Sequence, residues 1–173
     1  MKVSEIKITG YVPGAIGRVS ELHALYYNKY WGFGQFFEAK VATELSEFLS
    51  RFDSNRDGFW IACLEGHVEG SITIDGIKAD TDSAHLRWFI LSDTVRGRGI
   101  GNQLMKEAIR FCKEKRYRRV YLWTFEGLQA ARHLYEKFGF RLIEQHEGEQ
   151  WGRRVIEQKF MLEMEGEIPA IDR

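Results

Sequence analysis

The sequence has no net charge and no long apolar run. Its 25 lysine and arginine side chains are balanced by 25 aspartate and glutamate side chains, so no overall electric field attracts nucleic acid or an anionic membrane. Apolar runs such as residues 89–91 are far shorter than the roughly 20 residues that span a bilayer. The start of the chain has no signal-like apolar segment. We therefore expect a cytoplasmic protein whose partners include neither nucleic acid nor a membrane.

Cysteine is scarce, and the two that occur, Cys63 and Cys112, do not have the spacing of a metal site. Both lie in apolar segments, which predicts buried free thiols rather than a disulfide or metal ligands. The 173 residues are enough for one domain with a substantial core. We expect a single domain over residues 1–165 and a short tail over residues 166–173.

The sequence also lacks the Lys-Ser or Lys-Thr pair that the phosphate loop of a nucleotide hydrolase requires. Glycine is instead concentrated at residues 96–101, Arg-Gly-Arg-Gly-Ile-Gly, between an apolar run and an amphipathic segment. This arrangement predicts a strand, a glycine loop and a helix. A dinucleotide fingerprint starting at Gly97 is only a weak match, because Asn102 stands where its last glycine is needed. Two interpretations stay open, a flexible turn and a phosphate-binding loop.

A glycine loop before a helix has the properties of an anion site. Glycine allows the backbone to adopt a positive φ and to approach a ligand closely, and the first amides of a helix have no partner within the helix. Those amides and the helix dipole favour a phosphate. Arg96 and Arg98 add fixed positive charge on the same loop.

Hydrophobic periodicity divides the rest of the chain into strands and helices. Helical spacing follows the turn at Pro13 and Gly14, and Gly139 is placed to end the last helix. The order of elements predicts an α/β fold with a mixed, mostly antiparallel sheet of about seven strands and helices on both faces. Strands are predicted at residues 6–9, 59–64, 68–75, 85–91, 120–124, 140–146 and 155–164.

Residues 26–37 carry seven aromatic side chains in twelve positions, together with two glycines. An ordinary connector has fewer, so we interpret the segment as a loop that walls a pocket or forms a partner surface, which would allow a homodimer. Trp31 and Phe33 are its candidate pocket residues.

Two segments resemble the signatures of the GCN5-related N-acetyltransferase (GNAT) family. Residues 96–101 match the Arg-x-x-Gly-x-Gly of its coenzyme A pyrophosphate loop. Residues 131–140 are similar to its second signature, in which a tyrosine, here Tyr135, lies near the coenzyme sulfur. The stretch from residue 86 to residue 124 looks most like the acetyltransferase domain fused behind MarR-type repressors in bacteria.

The resemblance implies a sheet whose fourth and fifth strands splay apart around the pantetheine arm of acetyl-CoA. It implies direct transfer of an acetyl group from acetyl-CoA, without a metal, to the amine of a small molecule or peptide. Backbone amides at residues 89–91 would hold the thioester oxygen. Leu128 stands where the family often has an asparagine that contacts pantetheine. The cofactor-binding residues implied in this way are Phe89, Ile90, Leu91, Arg96, Gly97, Arg98, Gly99, Ile100, Gly101, Arg132 and Lys137.

Direct attack needs a neutral amine and a proton for the departing thiolate. Tyr135 is the candidate acid that the resemblance implies. Glu126 is favoured as the base, with His85 and Glu38 as alternatives.

Arg87 and Trp123 are assigned to the acceptor pocket. Arg87 would bind an acceptor carboxylate if its side chain faces the cleft, whereas strand alternation equally allows an outward, solvated arginine. The alternative to an enzyme is a non-catalytic acetyl-CoA sensor or a protein-interaction module of the same fold. Tyr135 favours the enzyme, because a sensor needs no acid for a thiolate.

Overall fold

The computed structural model describes residues 5–78 and 83–165. Seven strands and four helices occupy this part of the chain. In chain order they are β1 (Ile6–Thr9), α1 (Ala15–Trp31), α2 (Gln35–Ser50), β2 (Gly58–Leu64), β3 (His67–Asp75), β4 (Ser83–Leu91), α3 (Ile100–Glu114), β5 (Arg119–Phe125), α4 (Gln129–Lys137), β6 (Arg141–Gly148) and β7 (Val155–Glu163).

The strands form one sheet in the order β1-β2-β3-β4-β5-β7-β6. Every neighbouring pair is antiparallel except β4 and β5, which run parallel. Parallel neighbours need a crossover connection, and α3 supplies it. The predicted mixed, mostly antiparallel sheet of seven strands is confirmed. The predicted tail at residues 166–173 lies outside the described residues.

Apolar side chains pack on both faces of the sheet, because successive residues of a strand point to opposite sides. In β2, Ile61 joins the core with α1 and α2, whereas Ala62 joins the core with α3 and Tyr135 of α4. We call these sides the α1/α2 face and the α3/α4 face. Phe48 on the first and Leu104 on the second are fully buried, and burial of such a side chain stabilises the fold by about 1.5–3 kcal/mol.

β4 and β5 pair only at their amino-terminal ends. The parallel register ends where His85 lies opposite Tyr121, although both strands continue, to Leu91 and Phe125. Each keeps its outer partner, β3 or β7, beyond this point. A gap therefore opens in the middle of the sheet, as predicted for the fourth and fifth strands, and its edges present backbone groups that the sheet does not pair.

A bulge in β4 changes which side chains reach each face. Ser71 of β3 lies opposite Ile90. Thr73, two residues further on, lies opposite Arg87, so one residue of β3 faces two of β4. Trp88 has a φ of 44°, which is rare for a bulky residue, and its carbonyl accepts a hydrogen bond of 2.6 Å from Ser71 Oγ. Trp88 therefore packs on the α1/α2 face, which simple alternation along β4 does not predict.

The aromatic segment at residues 26–37 is not a loop, so that prediction was wrong. α1 continues to Trp31, and α2 begins at Gln35. The aromatic residues lie on successive helical turns until Gly32, whose φ of 66° ends α1 in the left-handed conformation that glycine favours. The amide of Gly32 donates a hydrogen bond of 3.0 Å to the carbonyl of Asn28.

Both cysteines are free thiols, as predicted. Cys112 is buried, but Cys63 is only half-buried. Within residues 5–78 and 83–165, no helix combines the length and the apolar composition needed to cross a membrane. The same residues contain no group of three or more His, Cys, Asp or Glu side chains suited to a metal ion.

Candidate active site in the gap between β4 and β5

A cavity of about 790 Å³ occupies the gap between β4 and β5. Its wall includes residues from both cores. Leu122 and Tyr135 belong to the α3/α4 face, and Trp88 and Phe125 belong to the α1/α2 face. The cavity therefore lies in the gap of the sheet and reaches both cores.

Tyr135 lies where the cavity reaches the α3/α4 face. It is 7% exposed, and its ring packs against Phe89, Phe140 and Phe160 with centroid distances of 6.3, 6.0 and 6.1 Å. Burial raises the pKa of its phenol, so the group is protonated at neutral pH. Tyr135 is thus held in the cavity wall in the state that a proton donor requires.

A second phenol, that of Tyr27 in α1, lines the cavity from the α1/α2 face. Its ring packs against Phe33, Phe37 and Phe125. Burial raises the pKa of Tyr27, and a negative charge on Tyr135 would raise it further. Tyr27 was not predicted from the sequence, because residues 26–37 were interpreted as a loop. Only the register of α1 shows which of the aromatic rings faces the gap.

The glycine loop follows β4 beyond the residues that pair with β5. Gly97 and Gly99 each have a φ of 77°, and a Cβ at either position would meet nothing within 4 Å. The amides of residues 99–101 donate no hydrogen bond to any group in the described part of the chain, and α3 begins at Ile100. The loop therefore offers an open backbone and the unpaired amides of a helix start, as an anion site requires.

The end of β4 connects this loop to the cavity. Phe89 lines the cavity, and Ile90 pairs with Ser71 of β3. Leu91 lies against the first turn of α3, where a Cβ on Gly101 would come within 3.3 Å of its Cδ1. Gly101 therefore lets the helix approach the strand closely.

The two arginines of the loop differ in their partners. Arg96 contacts the carboxylate of Asp93, donates a hydrogen bond of 2.8 Å to the carbonyl of Leu91 and lies 5.0 Å from the ring centroid of Tyr26. Arg98 is exposed, and its side chain has no ion pair or hydrogen bond with the described residues. Of the two guanidinium groups, only that of Arg98 has no partner among residues 5–78 and 83–165.

Two predicted cofactor-binding residues lie in α4, and Leu128 lies just before it. Lys137 donates a hydrogen bond of 2.8 Å to Asn102 Oδ1, which brings its charge to the first turn of α3. Arg132 pairs with Glu136 on its own helix at 2.9 Å. Leu128, which precedes α4, lines the cavity with an apolar side chain.

On the α1/α2 face the cavity is lined by a network of five charged side chains. Arg87 contacts Glu44 and approaches Asp75 at 3.4 Å. Arg51 bonds Asp75 at 2.7 Å, and Lys40 bonds Glu44 at 2.5 Å. Although burial acts in the opposite direction, the hydrogen bond from Arg51 contributes to a lowered pKa of Asp75. Three cations therefore share the two carboxylates, Glu44 and Asp75.

Two of the four predicted acceptor residues, Arg87 and Trp123, line the cavity. Trp31 and Phe33 do not. They pack against Phe125 with ring centroids 4.9 and 5.4 Å from it, and Phe33 is only 2% exposed. Both side chains pack behind Phe125, which lines the cavity. Trp31 ends α1 and Phe33 lies between α1 and α2, and both point toward the core there.

Of the three candidate bases, only His85 lines the cavity. Glu126 and Glu38 are exposed and form no part of its wall. His85 stacks on Tyr121 with ring centroids 4.5 Å apart, and burial together with the charge of Arg87 lowers the pKa of His85 to about 3. Its imidazole is therefore neutral, and weakly basic, at neutral pH.

One family model spans most of the segment that builds this site. The model of the acetyltransferase (GNAT) family matches residues 18–140. The chain belongs to the GNAT acetyltransferase family. The predicted family and the predicted enzyme class, an N-acetyltransferase, are confirmed. The narrower resemblance to domains fused behind MarR-type repressors stays a prediction.

Curated relatives of this GNAT protein match it over part of their length. It is 34% identical to N-acetylaspartate synthetase of Danio rerio over 85 residues, which are 49% of the chain and 30% of the relative. It is 27% identical to an uncharacterised N-acetyltransferase of Methanocaldococcus jannaschii over 135 residues, which are 76% of the chain and 59% of the relative. The matches thus span less than two thirds of the length of these relatives.

Solved structures share the fold over almost the whole chain. A GNAT acetyltransferase from Staphylococcus aureus Mu50 superposes with a TM-score of 0.73 at 18% identity, over 93% of this chain and 100% of that one. The yncA protein of Salmonella typhimurium, solved with its cofactor acetyl-CoA, has a TM-score of 0.72 at 12% identity, over 94% and 96% of the two chains. At these identities the likeness shows the fold alone.

Proposed function

We propose that this GNAT protein uses acetyl-CoA to acetylate the amine of a small molecule or peptide by direct transfer. The observation that carries the proposal is the cavity through the gap between β4 and β5, which joins the two faces of the sheet in one space. Direct transfer requires the donor and the acceptor to be held in contact. A cavity that reaches both cores supports such an arrangement.

The α3/α4 face fits acetyl-CoA, which supplies the acetyl group as a thioester. The free amides of residues 99–101 suit the pyrophosphate, and Arg98 and Lys137 add positive charge near the same helix start. The unpaired edges of β4 and β5 suit the amides of pantetheine, in the manner of an added strand.

The chain's own groups have two tasks in the transfer. Backbone amides at residues 89–91 stabilise the negative charge that develops on the thioester oxygen. Tyr135 gives its phenolic proton to the sulfur as the carbon–sulfur bond breaks and the amine nitrogen forms the new carbon–nitrogen bond. The amine's own proton leaves to solvent, and Tyr135 is reprotonated from solvent after the thiol departs.

The acceptor must reach the site as a neutral amine. Among the described residues, cations outnumber carboxylates in the cavity wall, and nearby positive charge lowers the pKa of a bound ammonium group. His85, which is neutral, adds no further charge and is the one candidate base placed in the wall. Glu126, the base favoured from the sequence, is exposed and outside the wall, so we assign it no role.

A small acceptor is supported by the relatives as well as by the cavity. The name of the Danio rerio relative, N-acetylaspartate synthetase, specifies an acetylated amino acid. The cavity of about 790 Å³ has room for a molecule of that size beside the acetyl donor. A cytoplasmic location and a homodimer stay predictions from the sequence.

The test combines calorimetry of acetyl-CoA binding with a thiol-release assay over a panel of amines. We expect saturable binding, and thiol release that depends on an amine and matches the amount of amide formed. Binding with no release for any amine would overturn the enzyme and support a sensor. No binding of acetyl-CoA at all would remove both functions.

A further inference from the structure

The cations that line the cavity outnumber the carboxylates among the described residues. The chain as a whole is neutral, so this excess is a local property of the cavity. The lining cations are Lys40, Arg51, Lys78, Arg87 and Lys159, and the lining carboxylates are Glu44 and Asp75.

Three of these cations already have carboxylate partners. Lys40 and Arg87 share Glu44, and Arg51 and Arg87 share Asp75. Arg87, which the sequence suggested as the binder of an acceptor carboxylate, is therefore occupied by two carboxylates of the protein itself.

Lys159 of β7 is different, because its ammonium group has no ion pair or hydrogen bond with any described residue. It lies over the rings of Tyr121 and Trp123, 4.9 and 5.6 Å from their centroids. Glu144 is its cross-strand neighbour in β6, but the Glu144 carboxylate lies 3.6 Å from Nδ1 of His146. The rings hold the ammonium in the wall by cation–π attraction and leave its hydrogen bonds available.

We propose that Lys159 binds a carboxylate of the acceptor, so that the acceptor carries a carboxylate close to its amine, as a free amino acid does. The inference rests on the proposed function, since it names the acceptor of the same site. Tyr121, which contacts both Lys159 and His85, supplies an aromatic surface for the carbon skeleton that joins the two groups. A polycationic acceptor is disfavoured, because it would meet like charge in this wall.

The experiment compares amino acids with their carboxamides, which keep the shape and lose the charge. Calorimetry on the CoA-loaded protein would measure the binding of L-alanine, L-phenylalanine and L-glutamate, each beside its α-carboxamide. We expect each acid to bind about 10- to 100-fold more tightly than its amide, the range of a hydrogen-bonded charge pair. The amine of an amino amide is the less basic of the two, but both amines are mostly protonated at neutral pH, so the state of the amine cannot produce a preference of this size.

Three variants assign the preference to one side chain. Lys159→Met keeps the length of the side chain and should bring the acid-to-amide ratio close to one. Lys159→Arg should retain most of the ratio, because it keeps the charge. Lys7→Met is the matched control, since Lys7 is an exposed strand lysine in β1, and β1 contributes no residue to the cavity wall. It should leave the ratio unchanged.

The outcomes separate this inference from the proposed function. Equal or tighter binding of the amides, binding of no acid, or an unchanged ratio in Lys159→Met would overturn the carboxylate site. Acid-selective binding that depends on Lys159, without acetylation of any amine, would support the carboxylate site and overturn the acetyltransferase.

Discussion

The α3/α4 face brings main-chain groups and a few side chains to the candidate site, whereas the α1/α2 face brings a network of charged side chains. On the first face, the free amides of residues 99–101 and the phenol of Tyr135 come from two short segments of the chain. On the second, Glu44, Asp75 and Arg87 come from α2, β3 and β4 and meet only in the folded protein.

Under the proposed function, this difference follows from what each face would bind. Acetyl-CoA is the same molecule for every acetyl-CoA-dependent enzyme, and a phosphate can be held by backbone amides whose geometry a short glycine motif specifies. An acceptor differs from one enzyme to another, and its selection depends on side chains that converge from several elements. Short motifs therefore predict the proposed donor side, and only packing predicts the proposed acceptor side.

The largest expected effect is at Tyr135, where the two faces meet. Tyr135→Phe keeps the packing against Phe89, Phe140 and Phe160 and removes the proton donor. Single-turnover rates should fall by about 10²- to 10⁴-fold, with the affinity for acetyl-CoA unchanged by calorimetry.

Tyr27→Phe is the matched control for that experiment, because Tyr27 presents the second phenol of the cavity. Its single-turnover rate should stay near that of the unmodified protein. A large loss in Tyr27→Phe and none in Tyr135→Phe would move the acid to the α1/α2 face.

A second effect tests whether Phe33 supports the fold or selects the acceptor. Phe33→Ala should lower the free energy of unfolding by about 3–5 kcal/mol, because Phe33 is 2% exposed and packs on Phe125. Denaturant unfolding measures this change in the free energy of unfolding. Trp123→Ala, which changes a half-buried lining residue, should cost less stability and raise the KM of the amine. If Phe33→Ala raised the KM of the amine and left the stability unchanged, Phe33 would belong to the acceptor pocket, as the sequence predicted.

A third effect isolates the glycine loop on the α3/α4 face. Gly99→Val forces a β-branched residue to a φ of 77°, and the loop should relax away from its geometry. The affinity for acetyl-CoA should fall by about 10- to 100-fold, since amide hydrogen bonds to a charged group are lost.

Gly66→Val separates this effect from general strain. Gly66 has a φ of 82° in the turn between β2 and β3, and a Cβ there would also meet nothing within 4 Å. Both variants should lose roughly 1–3 kcal/mol of stability. Equal loss of acetyl-CoA affinity in both would show that the loop has no special part in binding.

The most gradual effect is the pH dependence of stability contributed by His85 on the α1/α2 face. Its pKa is lowered to about 3 by burial, whereas an unfolded histidine has a pKa near 6.5. Below about pH 6.5 the unfolded chain binds a proton that the folded protein does not, so stability falls as the pH falls. The slope from this histidine is at most about 1.4 kcal/mol per pH unit.

His85→Gln should therefore flatten the fall of unfolding free energy between about pH 6.5 and about pH 3. The comparison is with His67→Gln, at an exposed strand start, measured by denaturant unfolding at several pH values. An unchanged slope in His85→Gln would mean that folding does not lower the pKa of His85.

Much of the fold could be predicted from the sequence, because strand alternation and helical spacing are local. The sheet of seven strands and the end of the last helix at Gly139 follow from such patterns. The division of residues 26–37 between two helices could not be predicted from such patterns. A high density of aromatic residues occurs both in loops and in helices whose rings pack inward. In the structure, Gly32 ends α1 and so divides the segment.

The sequence by itself determined the glycine loop at residues 96–101, the position of Tyr135 in its signature and the order of strands and helices, since each depends on residues close together in the chain. Only the tertiary structure decided the bulge at Trp88, the partners of Arg87 and the position of the Lys159 ammonium over two rings, without an ion pair to any described residue. The physical reason is the separation, along the chain, of the residues that interact. A bulge follows from the register of two strands, and the partners of a charge depend on which distant side chains the packed core brings within a few ångströms of it.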